Sequence, residues 1–159
     1  MNYYELFGIP ISILVDKAVL SKRFFELQKS FHPDYFTLTD EAEQEAALEK
    51  SAMLNKAFKI FKEQDETIKY LLQLKGLLKE EEKYPLPAAF LMEVMELNEN
   101  LTAGSVAEIA VLEKDIYAPV AQIISNYKDE IISETDLLQL KEYYFKKKYL
   151  QRILDRIDG

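Results

Sequence analysis

The stretch Asp16–Phe36, DKAVLSKRFFELQKSFHPDYF, decides the fold. Leu20, Phe24, Leu27 and Phe31 recur at spacings of four, three and four, which at about 100° per residue places them on one side of an α-helix. Asp16 suits the cap of that helix, because a carboxylate accepts amide hydrogens that the first turn leaves without partners. The helix is expected to run to about Ser30. The segment Phe31–Thr39 then breaks the pattern, since Pro33 has no amide hydrogen and pushes His32 out of the helical region. Asp40 is a second cap candidate, and helix resumes to about Glu63 with Leu48, Ala52, Asn55 and Phe58 marking a face. The two helices read as an antiparallel pair with His32-Pro33-Asp34 in the joining loop.

Working outward, a short helix over Tyr3 to Phe7 stops at Gly8, with Pro10 just beyond it, and another over Glu66 to Lys75 ends at Gly76. The charged run Lys79-Glu80-Glu81-Glu82-Lys83, followed by Pro85 and Pro87, reads as a linker. The expected domains are therefore 1–75 and 87–159, joined by 76–86. Three further helices are expected, at about Pro87–Leu101, Ser105–Lys128 and Glu134–Ile157. Ser133 can cap the last, and Pro119 should kink or split the middle one. Glycine is scarce and strand-like alternation rare, so the fold class is all-α, a helix hairpin with short flanking helices plus a three-helix bundle.

The 159 residues are 48% hydrophobic, enough for buried cores. No apolar run approaches the roughly 20 residues that cross a bilayer, and the start lacks a secretory leader pattern, so a cytoplasmic protein without a membrane partner is expected. Cysteine is absent, which excludes disulfides, thiolate metal sites and cysteine-bound clusters within the chain. No cofactor or metal of its own is expected. The net charge of -8 argues against non-specific nucleic-acid binding. Yet Lys17, Lys22, Arg23 and Lys29 precede the loop with only Glu26 among them, whereas Asp40 to Glu49 holds five acids and no base. A basic patch beside an acidic one suits docking on another protein.

His32 is the only histidine, and no G-x-S-x-G, H-E-x-x-H or glycine-rich phosphate loop accompanies it, so the chain is not expected to be an enzyme. His32 offers a donor and an acceptor, Asp34 an acceptor for a partner's arginine, and Pro33 rigidity. The alternative is that both polar side chains only satisfy local backbone groups. The loop, the preceding basic helix, the upstream Tyr-x-x-Leu-Phe-Gly helix and the downstream Leu54-Asn55-Lys56-Ala57-Phe58 together resemble the J-domain. This module stimulates ATP hydrolysis by DnaK-type chaperones. The resemblance implies that His32, Pro33 and Asp34 contact the chaperone, with the basic helix (Lys22, Arg23, Lys29) meeting an acidic patch. Tyr35 departs from the pattern, since many J-domains carry a basic residue there.

In the first helix of the C-terminal half, Phe90, Val94, Leu97 and Leu101 form the expected core stripe, while Leu91, Met92 and Met95 point almost opposite, flanked by Glu96 and Glu99. In the last helix Leu140, Tyr143, Tyr144, Leu150, Leu154 and Ile157 make the expected core side, leaving Phe145 with Leu138 and Tyr149 on another. A second apolar face suits a partner protein, the other domain or a second copy. Methionines favour adaptable packing. With Phe31-His32-Pro33-Asp34-Tyr35-Phe36 and Ala89-Phe90-Leu91-Met92-Glu93-Val94-Met95-Glu96-Leu97, the chain resembles the HscB family, J-proteins of iron–sulfur cluster assembly. That resemblance implies delivery of an IscU-type scaffold to an HscA- or DnaK-type ATPase, and with the second apolar face assigned to a scaffold a monomer is expected. It places scaffold contacts at Leu91, Met92, Met95, Glu96, Glu99 and Phe145, with a further acidic family position falling on Ala103. A J-protein for other clients and a helical adaptor with no chaperone partner are the competing readings.

Overall fold

The computed structural model describes residues 1–36 and 38–158, and of these the side chains of Pro33 and Asp158 lie outside the description. Thr37, within the expected loop, is likewise outside the described residues. The described residues form helices and no strands. Contacts divide the chain into one unit of Met1–Leu74 and another from Lys75 onward.

The first unit contains α1 (Tyr3–Phe7), α2 (Lys17–Phe31), a 3₁₀ turn (Pro33–Phe36), α3 (Glu41–Phe61) and α4 (Gln64–Leu74). Its helix ends follow from the sequence. The Asp16 carboxylate accepts the amides of Ala18 and Val19 at 2.9 and 3.0 Å, and Asp40 accepts that of Glu43 at 2.8 Å. Gly8 closes α1 at φ 66°, a left-handed conformation that disfavours a side chain. The pairing of α2 with α3 is antiparallel: Phe24 stacks on Phe58 with ring centroids 4.1 Å apart, Gln28 donates to Asn55 at 2.9 Å, and Lys50 lies over the Phe31 ring. Tyr4, Leu6 and Phe7 of α1 pack with Leu20, Leu54, Ala57 and Phe61 to make the core.

Two expectations are corrected here. The buried stripe of α3 is Ala47, Ser51, Leu54, Ala57 and Phe61, whereas Leu48 is 59% exposed and Ala52 and Asn55 are exposed. The stripe is displaced by one residue, with only Phe58 of the expected face packing against the core, and three of its five members are the small Ala47, Ser51 and Ala57, which hydrophobicity alone does not signal. The expected loop is also shorter: Phe31 completes α2, and Pro33–Phe36 winds as 3₁₀ helix.

The second unit contains α5 (Ala88–Glu99), α6 (Ser105–Tyr117), α7 (Ala121–Ser125) and α8 (Glu134–Asp158). It is a three-helix bundle whose middle member is split around Pro119 and ends at Ser125 rather than Lys128, as expected where proline removes a ladder donor. Ser133 caps α8 by accepting the Asp136 amide at 3.1 Å. Phe90, Val94, Ile109, Ile116, Val120, Ile124 and the α8 residues Leu137, Leu140, Tyr143, Tyr144, Leu150 and Ile153 are buried. Leu154 and Ile157, expected in the core, are only half-buried near the end of α8. The stretch 76–86 lies in this unit. Leu78 is buried, Glu82 meets Lys141 of α8 at 2.7 Å, and Tyr84 stacks on Phe145.

Candidate functional site

The hairpin tip is built from the backbone outward. His32 ends α2 in an extended conformation, φ -64° and ψ 131°, as a residue before proline requires. The Tyr35 amide donates to the His32 carbonyl at 3.0 Å, and the Asp34 amide donates to His32 Nδ1 at 3.2 Å. With Nδ1 accepting, the proton of the neutral ring sits on Nε2, the opposite edge, where it can serve a partner. The Asp34 carboxylate lies 3.5 Å from Nδ1 and its side chain is 83% exposed. Because Nδ1 already accepts, that approach is no ion pair while the ring is neutral, and the carboxylate keeps its capacity to receive a guanidinium. One ring nitrogen thus serves the backbone, as the alternative reading of the loop expects, while the Asp34 carboxylate is left exposed. Tyr35 is exposed, its ring edge-on to His32 at 6.3 Å. Of Pro33 only the backbone is described, opening the 3₁₀ turn.

Lys22, Arg23 and Lys29 are exposed on α2. Arg23 has a second duty, since its Nη1 donates to the Phe7 carbonyl at 3.2 Å, at the negative end of α1. Sequence reasoning missed this tie, and also Phe25, which is 66% exposed between Lys22 and Lys29 at helical steps of three and four. Its ring rests edge-on against Phe24 at 5.9 Å. The available signal was a second phenylalanine lying off the core stripe.

On α5, Phe90 and Val94 face the core while Met92 and Met95 are 68% and 55% exposed. Glu96 and Glu99 are exposed beside them, and Leu91 is half-buried. The helix carries no base, its Pro87 cap makes no side-chain hydrogen bond, and Glu96 and Glu99 occupy the C-terminal portion. Carboxylates there oppose the helix dipole, at a cost of about 0.3–1 kcal/mol each when close to the end.

Phe145 is half-buried, its ring parallel to Tyr84 at 4.7 Å and edge-on to Tyr144 at 5.3 Å. One turn later Tyr149 packs edge-on against Phe90 of α5. Lys141 also lies over the Tyr84 ring, 5.6 Å from its centroid. The hydrogen bond from Lys141 holds the Glu82 carboxyl below the usual range, helped by the Lys79 amide. Burial, then the charges of Glu142 and Glu82, push the Tyr84 phenol up. Burial would raise the Asp129 carboxyl, but hydrogen bonds from Lys75 and Tyr127 outweigh it and leave a lowered value; Lys75 Nζ stands 2.6 Å away. Ala103, exposed just beyond α5, brings no carboxylate to the patch.

Among the described residues there is no group of three His, Cys, Asp or Glu able to hold a metal, and no helix long and apolar enough to cross a membrane. A helix hairpin with an outward His-Pro-Asp turn and a basic face, followed by a separate helical bundle, defines the architecture of a J-domain co-chaperone. Comparison with known proteins narrows this. Residues 86–158 match the family described as the HSCB C-terminal oligomerisation domain. The chain is 32% identical over 165 residues to the co-chaperone protein HscB homolog of Vibrio cholerae serotype O1 (strain M66-2), covering 99% of this chain and 95% of that protein. The solved chaperone HscB from Vibrio cholerae superimposes with a TM-score of 0.68 at 29% identity, covering 99% of this chain and 96% of the other. Human co-chaperone protein HscB superimposes with a TM-score of 0.78 at 26% identity, covering 99% and 81%. The chain belongs to the HscB co-chaperone family.

Proposed function

We propose that this co-chaperone captures an IscU-type iron–sulfur scaffold on its second unit, delivers it to an HscA- or DnaK-type chaperone through its first, and stimulates that chaperone's ATPase. The iron–sulfur cluster is cargo of the scaffold, and the nucleotide is bound and hydrolysed by the chaperone. His32, Pro33 and Asp34 make the stimulating contact, with Lys22, Arg23 and Lys29 steering an acidic surface toward it. Leu91, Met92, Met95, Glu96 and Glu99 hold the scaffold, with Phe145 contributing beside Tyr84. The protein acts as a cytoplasmic monomer.

The observation that supports this reading best is the exposure of two methionines one helical turn apart on a helix whose acids enter no ion pair among the described residues. Such a surface suits a protein with apolar and basic side chains. The test is a steady-state ATPase assay with chaperone, apo-scaffold and this protein. Wild type is expected to raise the rate. A folded His32→Gln variant is expected to leave it at the basal level while still binding scaffold. Normal stimulation by that variant would refute the assignment.

A further inference from the structure

We propose that the groove between α5 and α6 receives a short basic segment of the scaffold, so that the docking surface continues around α5 onto α6. The inference rests on the scaffold-binding reading above and adds residues that reading does not use. The groove is open to solvent and has a volume of about 620 Å³, within the usual range of binding clefts. Its rim carries Glu93 and Glu96 from α5 and Glu108 from α6, and the rest of its lining is apolar at Leu97, Val111 and Leu112 and polar at Asn100, Thr102 and Ser105.

Two features separate it from an ordinary crevice between helices. Val111 is 60% exposed although Ile109 and Ile116 of the same helix supply the core, so an apolar side chain stands on the groove wall without serving the bundle. None of the three rim carboxylates enters an ion pair among the described residues, although Glu113 on the same helix is paired with Lys147 at 3.1 Å. Three like charges around a partly apolar lining repel one another, Glu96 also opposes the dipole end of α5, and a lysine or arginine flanked by an apolar side chain relieves that repulsion. The same charge repels phosphate and nucleic acid. Glu96 belongs to both the rim and the exposed Met92–Met95 face, which makes the two surfaces one.

The test uses the full-length protein and purified apo-scaffold, with Kd measured by calorimetry. Glu108→Lys should weaken binding by about ten-fold or more, with the loss shrinking as salt rises. Val111→Ala should weaken it by about five-fold. Val111 is exposed, so an unchanged circular-dichroism melt is expected for Val111→Ala, while Glu108→Lys should lower the melt slightly, because Glu108 stands in the first turn of α6 where the helix dipole favours a carboxylate. A photo-crosslinking residue at 111 should attach to a scaffold segment bearing Lys or Arg. If Met92→Ala weakens binding while Glu108→Lys and Val111→Ala leave it at the wild-type value, the groove proposal is overturned and the methionine surface stands. If the wild-type protein binds no scaffold, the reading beneath the proposal falls and the groove falls with it. If sedimentation reveals a dimer of this chain that Glu108→Lys abolishes, a second copy occupies the groove and the proposal is likewise overturned.

Discussion

Truncating Met92 and Met95 separates a partner surface from a structural one, because the two outcomes differ in kind. Burying a whole methionine side chain is worth about 1.5–3 kcal/mol. At 68% and 55% exposure, most of that area is still available to a partner on each side chain. Alanine keeps the β-carbon, so each truncation should cost about 1 kcal/mol of binding and the pair about 2 kcal/mol, provided that the scaffold covers both. These correspond to rises in Kd of about five-fold and thirty-fold. Folding stability should move by no more than about 0.5 kcal/mol, since neither side chain fills the core. Val94→Ala is the contrasting control: Val94 is fully buried on the same helix, so its truncation should lower the melting temperature. Titration calorimetry with apo-scaffold and thermal melts of the same preparations provide the two readouts. Wild-type affinity in the double variant would sink the reasoning, as would a loss of binding matched by an equal loss of stability.

Two further predictions concern the supports of the sites. Gly8→Ala should destabilise the first unit by about 1–2 kcal/mol, because φ is 66° and the added carbon would stand 2.8 Å from Arg23 Nη1; in an Arg23→Ala background only the backbone part of the penalty should remain, and urea unfolding of the four proteins would contradict the account if Gly8→Ala matched wild type. The carboxyls of Glu82 and Asp129 are depressed in the folded state, so their contribution to stability is present above the unfolded values of about 4.3 and 3.9 and is lost as pH falls through the lower folded values. Melting temperatures between pH 7 and pH 3 should therefore fall less steeply in Glu82→Gln with Asp129→Asn, and parallel curves would count against the assignment.

Local chemistry made much of this fold legible. Asp16, Asp40 and Ser133 cap the helices that they were expected to cap, and Gly8 and Pro119 interrupt where backbone rules require. The α3 face was misread because Ala47, Ser51 and Ala57, three of its five buried residues, are small and give little hydrophobic signal beside Leu54 and Phe61, while the larger Leu48 is exposed. At the sites, the His-Pro-Asp turn and the exposed methionines follow from proline chemistry and helical angle. The Arg23 contact with Phe7 joins residues 16 apart, and no periodicity records such a tie. The Tyr84 stack on Phe145 was hidden for another reason, since a lone aromatic among charges and prolines has the composition of a linker.

That stack, with the Glu82–Lys141 and Lys75–Asp129 pairs, ties the 75–86 stretch to the bundle at three places. Tethers that only span a distance can lengthen or shorten among relatives with little consequence. Here an inserted or deleted residue would slide Tyr84 off Phe145 and strand a lysine or a carboxylate. The length of this stretch is thus tied to the surface it helps to build, and changes in the two are expected to occur together as the family diverges.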